Sequence, residues 1–225
     1  EDLMAKLAGE ELRDVPYYGL MEANINGADC VISQTGFTGE KGYEIYVRDT
    51  HENAEKVWNK VLEDGEEFGL MVIAPAHHRR IAAGILSWGQ DLDHETSPFQ
   101  VNLAYQVPRN KKSDYIGKAE LERQRDVIDS GDAPFKMKMV GIILGGKPIT
   151  DYAPDFWLVA DTDGNDMGYV TSPWWSPELE TNIALAWVPW SSSEVGTKLL
   201  VKLPDEYSVT PVSYTHLTLP TINWV

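Results

Sequence analysis

Glu44 is the residue of this chain whose type and setting most invite chemistry. It follows Gly36-Phe37-Thr38-Gly39-Glu40-Lys41-Gly42, where glycines at every third position give way to the alternating run Tyr43-Glu44-Ile45-Tyr46-Val47. That pattern is a turn delivering a strand. Side chains alternate along a strand, so Tyr43, Ile45 and Val47 share one face while Glu44, Tyr46 and Arg48 share the other. A carboxylate one step inside a sheet is costly unless something answers it. Two partners fit the residue type: a neighbouring Lys or Arg within a hairpin, or a ligand edge presenting two parallel N–H groups, one for each oxygen. The turn is no phosphate cradle, because it contains no Gly-x-x-x-x-Gly-Lys-Ser/Thr.

Three other groups of residues could carry chemistry. The run Trp88-Gly89-Gln90-Asp91-Leu92-Asp93-His94-Glu95 is rich in carboxylates, but its spacing does not match a calcium loop, and no metal is expected. A structural loop fits better, with Asp91 capping turns and Trp88 and Pro98 walling a cleft. His77, His78, Arg79 and Arg80 cluster at the start of a helix; adjacent histidines there point about 100° apart and chelate poorly. That cluster reads either as a solvated basic face or as a place where Arg79 or Arg80 meets the carboxylate of a substrate or of another ligand's tail. Cys30, within the apolar-alternating Ala28-Asp29-Cys30-Val31-Ile32-Ser33, reads as a small core residue rather than a reactive thiol.

The elements that must position these residues follow from periodicity. Leu3 and Leu7 mark a helix within 2–14 that stops before Pro16, and Tyr17-Tyr18 open a strand-like stretch. Asn26-Gly27 is a hairpin turn into the strand Ala28–Gln34. Asp49 and Glu52 read as a cap for a helix carrying Ala54, Val57, Trp58, Val61 and Leu62 on one face, ended near Gly65. Ala74-Pro75 starts a second helix with Ile81, Gly84 and Ile85 inward. Another helix is expected over 118–129, and Asp129-Ser130-Gly131-Asp132-Ala133-Pro134 reads as a linker. Beyond it, strand-like runs at 137–144, 156–160, 167–171, 182–188 and 198–203 are separated by turns with no helix between them, which predicts a small barrel. Trp174, Trp175, Trp187 and Trp190 read as core or rim packing, or as a cleft wall.

Composition narrows the partners. With 35 acidic against 19 basic residues and a net charge of −16, the surface should repel nucleic acid and anionic membrane, so neither is expected as a partner. No run approaches the ~20 apolar residues of a membrane span, and the N-terminus lacks a basic n-region and cleavage site. One cysteine cannot form an internal disulfide, and the cytosol is the expected compartment.

Several motifs together resemble the glycine cleavage T-protein family of folate-dependent aminomethyltransferases and demethylases. They are Ser33 to Val47 (SQTGFTGEKGYEIYV), RIAAGILSWGQDLDHETSP over 80–98, Tyr115-Ile116-Gly117-Lys118, Gly168 to Ser172, and Ser176 to Pro189. The resemblance spans about residues 1–210 and implies an α+β chain in two parts. A mixed α/β folate-binding portion over 1–130 would precede a small all-β barrel over 135–210. It implies tetrahydrofolate as cofactor, a small-molecule one-carbon donor as partner, and Glu44 gripping the pterin. Tyr43, Trp88 and Arg80 join it as expected folate-binding residues, Arg80 through the glutamate tail.

The resemblance corresponds to the C-terminal half or more of a family member. The aspartate that meets the one-carbon centre in the family lies outside it, so no catalytic residue is assigned and the chain alone is expected to be inactive. Ala76 and Ala82 stand where the T-protein carries an arginine and a glutamate, which favours the branch of demethylases acting on dimethylsulfoniopropionate-like or methoxy-aromatic donors. The aminomethyltransferase proper and a non-catalytic folate-binding protein are the alternatives. Ser213 to Ile222 departs from the family pattern and resembles translated sequencing-adapter read-through, so 211–225 is expected to be a non-native tail.

Overall fold

The strand-and-helix pattern resolves, in the computed structural model, into two compact units, Glu1–Ala76 and His77–Val225. The structure describes residues 1–204 and the backbone of 214–217. The division expected at 130–135 falls inside the second unit.

In the first unit, Asn26 and Gly27 both take positive φ (52° and 83°). This is the geometry of a two-residue hairpin turn, and it joins β1 (Leu20–Ile25) to β2 (Ala28–Ser33) with Ile25 opposite Ala28. Then β3 (Glu44–Val47) pairs antiparallel with β2, placing Glu44 opposite Ser33. Two helices, α1 (Asp2–Ala8) and α2 (Thr50–Gly65), pack on one face of this sheet. Their Leu7 and Val57 meet Ile25, Ala28, Cys30 and Ile32 in a buried cluster, against which Tyr43, Ile45 and Val47 also pack. Cys30 is thus a core residue, as its alternation required. The cap expected at Asp49 does not form: Asp49 is left-handed (φ 49°) and makes no side-chain cap bond, while its main-chain oxygen accepts from the Glu52 N–H. Trp58 faces solvent rather than the core, since α2 is narrow in its contact and only Val57 and Val61 reach the cluster.

The second unit opens with α3 (His77–Ala82) and continues through an irregular segment to α4 (Lys118–Asp129), the helix expected there to the residue. Its strands are β4 (Met137–Leu144), β5 (Trp157–Ala160), β6 (Asp166–Ser176), β7 (Thr181–Pro189), β8 (Lys198–Val201) and β9 (Tyr214–Leu217). They close a barrel in the order β4-β7-β6-β5-β8-β9. Period-2 alternation sorts β4 and β7 cleanly. Val140, Ile142, Leu144, Ala184, Ala186 and Val188 belong to one cluster with Val159, Val170 and Leu199. Met139, Ile183, Leu185 and Trp187 belong to another with Ile81 of α3 and Val101. A strand buried on both faces loses its polar alternation, which is why β7 reads as an almost unbroken apolar run. The fold is therefore α+β with a C-terminal all-β barrel.

The stretch set apart as a tail contributes β9, with Leu217 opposite Gly141 and Thr215 opposite Lys198. The rest of 211–225 lies outside the described residues.

Candidate functional site

Glu44 sits where the glycine turn enters β3. The helices cover the Tyr43, Ile45 and Val47 face, so Glu44 and Tyr46 lie on the open face, exposed. The expectation of a carboxylate buried within a sheet is corrected here: this sheet is packed on one side only. Neither is Glu44 ion-paired within the hairpin, because the arginine of that face, Arg48, pairs with Glu22 at 2.8 Å. Instead one oxygen, Oε2, accepts from the hydroxyls of Thr35 and, at 3.3 Å, Tyr46. Among the described residues Glu44 has no cationic partner and its Oε1 accepts no hydrogen bond. Tyr43 points the opposite way, into the packed face, where its Oη is buried without a hydrogen-bond partner among the described residues.

Arg80 and Trp88 belong to the second unit. Arg80 does not lie on a solvated basic face: its side chain is 1% exposed and pairs with the fully buried Asp91 at 2.8 Å. Its Nη2 donates to Ser172 Oγ (2.8 Å), Nη1 also donates to the Ile85 carbonyl (3.1 Å), and Nε donates to His77 Nδ1 (3.3 Å). Asp91 is saturated in turn. Besides Arg80 it accepts from the Ser87 N–H (2.8 Å) and from the hydroxyls of Thr171 and Ser172 (2.6 Å each). Adjacent strand residues ordinarily face opposite ways. Here the register between β6 and β7 shifts across Val170 and Ser172, and that bulge brings both hydroxyls onto one carboxylate. The Trp187 indole N–H donates to the main-chain oxygen of Asp91 (2.9 Å), and Gln90 Nε2 donates to the Thr171 carbonyl (2.9 Å).

These bonds seat the loop Ser87–Leu92 on the barrel wall. Trp88 projects from it, 68% exposed. Sequence reasoning placed Asp91 as a turn cap, which it is through Ser87, but missed Thr171, Ser172 and Trp187. Nothing in Gly168-Tyr169-Val170-Thr171-Ser172 announces a bulge. Beside the Arg80–Asp91 pair, His77 Nε2 meets the Tyr152 hydroxyl, and both rings pack against Trp174. Burial, and then the Arg80 guanidinium, push the His77 pKa below its ordinary value. With Nδ1 accepting from Arg80, the proton of the neutral ring resides on Nε2. His77 and His78 do not form a chelating pair, and no group of metal-ligating side chains occurs among the described residues.

Comparison with known proteins gives this geometry a context. Residues 1–111 match the family model described as the GCVT N-terminal domain, and residues 136–216 match the glycine cleavage T-protein C-terminal barrel domain. An aminomethyltransferase of Geobacillus sp. (strain WCH70) is 32% identical over 206 residues, covering 90% of this chain and 53% of the relative. One of Caldanaerobacter subterraneus subsp. tengcongensis is 30% identical over 204 residues, covering 89% and 51%. The crystal structure of glycine cleavage system aminomethyltransferase T from Bartonella henselae superposes with a TM-score of 0.75 over 97% of this chain and 56% of that one. At 23% identity, that likeness speaks for the fold. The chain spans about half the length of the relatives it matches.

Proposed function

Because the chain belongs to the glycine cleavage T-protein family, we propose that it serves tetrahydrofolate-dependent one-carbon transfer, with Glu44 as the group that grips the pterin. The observation that carries this reading is the state of the Glu44 carboxylate. One oxygen is held by Thr35 and Tyr46, no cation neutralises it, and it stands on an open sheet face. A pterin edge offers a ring N–H and an exocyclic amine side by side, which suits such a carboxylate. When bound, tetrahydrofolate supplies the acceptor for the one-carbon unit. The protein's own part is to fix the acceptor in place: the Thr35 hydroxyl sets the rotamer of Glu44, and Tyr43 anchors the strand from the packed face. Acceleration then comes from orientation and charge stabilisation, with no covalent intermediate on this chain.

Trp88 serves as an aromatic wall for folate, and Arg80 acts by holding the Trp88 loop through Asp91 rather than by reaching a ligand itself. No catalytic residue is assigned on this chain, and the compartment we propose for it is the cytosol. The two parts that the family implies for it are residues 1–130 and 135–210, a division distinct from the two compact units that part at Ala76.

For the donor we favour a demethylase-type substrate, a sulfonium or methoxy-aromatic compound. Ala76 and Ala82 carry no charge where the T-protein has an arginine and a glutamate, and Ala82 packs against the apolar cluster of Ile81, Val101 and Leu185. A second reading, transfer of an aminomethyl group, is favoured by the names of the relatives. Assaying the longer protein that carries this chain decides between them. Methyl transfer from a sulfonium or methoxy donor to tetrahydrofolate is expected. Methylene-tetrahydrofolate formed instead from an aminomethyl-lipoyl carrier would overturn the donor assignment, and turnover with neither donor would leave a folate-binding protein.

A further inference from the structure

A cleft of about 390 Å³ lies in the second unit, between the segment 99–109 and the C-terminal half of α4. It involves neither the Glu44 face nor the residues around Arg80 and Asp91. Its floor is apolar, formed by the buried Phe99 and Val107 with Ile128, and Ala104, Tyr105 and Pro108 form its walls. Two arginines line it, and they are not equivalent. Arg109 is neutralised by Asp129 through two parallel bonds of 2.6 and 2.7 Å. Arg109 in turn holds the Asp129 carboxyl below its ordinary pKa. Arg125 makes no ion pair of its own among the described residues, though its charge also acts on the Asp129 carboxylate. Its guanidinium lies 5.3 Å from the Phe99 ring centroid and spends one Nη2 donor on the Val107 carbonyl, a neutral acceptor.

A guanidinium beside an aromatic ring, with donors to spare and no ion pair of its own, is a recognition group for a planar anion. Its setting in a cleft of this size with apolar walls asks for a ligand whose remainder is itself flat and apolar. We propose that this cleft binds a small aromatic carboxylate, its ring on Val107 and Ile128 and its carboxylate on Arg125. The Arg109–Asp129 pair closes one side of the cleft and contributes no net charge. In a chain with a net charge of −16, this cleft lined by two arginines and one carboxylate is a local feature able to hold an anion.

Titration of the full chain with sodium benzoate, followed by calorimetry and amide chemical shifts, tests the proposal. Saturable binding with a Kd on the order of 1 mM is expected, as for a single charge-assisted contact with a small ring. Benzamide, equal in shape but uncharged, and acetate, charged but without the ring, should each bind at least about tenfold more weakly. Arg125→Met should weaken benzoate by the same factor. Because Arg125 also supports Val107, Ala104→Trp is the second variant: it fills the cleft, leaves that bond in place, and should also abolish binding. Absence of saturation by benzoate, equal binding of benzamide, or undiminished binding by Ala104→Trp would each overturn the proposal.

Discussion

Replacing Asp91 by alanine removes at one stroke the carboxylate that Arg80, Ser87, Thr171 and Ser172 share. The Arg80 guanidinium then stays inside the second unit with a side chain 1% exposed and its counter-charge gone. Breaking a buried ion pair from one side costs ~3–5 kcal/mol, more than the pair itself contributes, because the remaining charge cannot recover its hydration. For a domain of this size each kcal/mol lowers the melting temperature by about 2–4 °C, so a fall of roughly 6–20 °C is expected in calorimetry. Asp91→Asn keeps the shape but turns an amide donor toward groups that donate, and should lose nearly as much. Removing both charges is the informative control: Arg80→Met with Asp91→Leu should recover a large part of the loss, since no charge is left buried. A melting temperature for Asp91→Ala within 2 °C of the parent would refute the assignment of this pair as the lock that seats the Trp88 loop.

Three further expectations follow from the same geometry. A Cβ at Gly168 would stand 2.1 Å from the Trp187 carbonyl oxygen, so Gly168→Ala should cost ~3 kcal/mol in urea unfolding; a loss below 1 kcal/mol would show that β6 and β7 are not so close. The folded-state pKa of His77 is depressed by burial and Arg80, with Asp91 opposing and His78 adding to the effect, so the native state binds fewer protons there than the unfolded chain. Its contribution is intact above the unfolded value of about 6.5 and is lost as pH falls through the lower folded value. Urea unfolding from pH 8 to 5 should therefore show less pH loss in His77→Asn than in the parent, and parallel curves would contradict this. Ending the chain at residue 210 removes β9 and leaves edges of β4 and β8 unpaired, so the melting temperature should fall by several degrees. An unchanged value would make 211–225 the non-native tail that its sequence resembles.

Much of the scaffold was legible because local signals and tertiary packing agree. Asn26-Gly27 demands a hairpin and forms one. The strand runs at 137–144 and 182–188 appear as β4 and β7, and α4 occupies 118–129, since in each the residue periodicity is also the burial pattern. The misses share a cause: they depend on what lies across from a residue. Glu44 has the alternation of a half-buried strand, but alternation cannot say whether both faces of a sheet are covered, and here only the Ile45 face is. Arg80 looked like part of a basic surface because its three predecessors, His77, His78 and Arg79, are polar. Its burial is set by Asp91, eleven residues on, and by Ser172, ninety-two residues on, with the β6 bulge aiming the hydroxyl. Asp49 has the residue type of a cap, but its left-handed backbone carries the side chain away from the helix end.

The central claim, that Glu44 holds the pterin of tetrahydrofolate, is tested most directly by equilibrium titration of tetrahydrofolate into the longer protein carrying this chain, with Glu44 intact and as Glu44→Gln. The substitution replaces one acceptor oxygen by a donor and leaves the exposed sheet face otherwise unchanged. Affinity should fall by ~1–3 kcal/mol, about 5- to 150-fold. Equal affinity in the two proteins would return Glu44 to the role of a strand residue hydrogen-bonded to Thr35 and Tyr46.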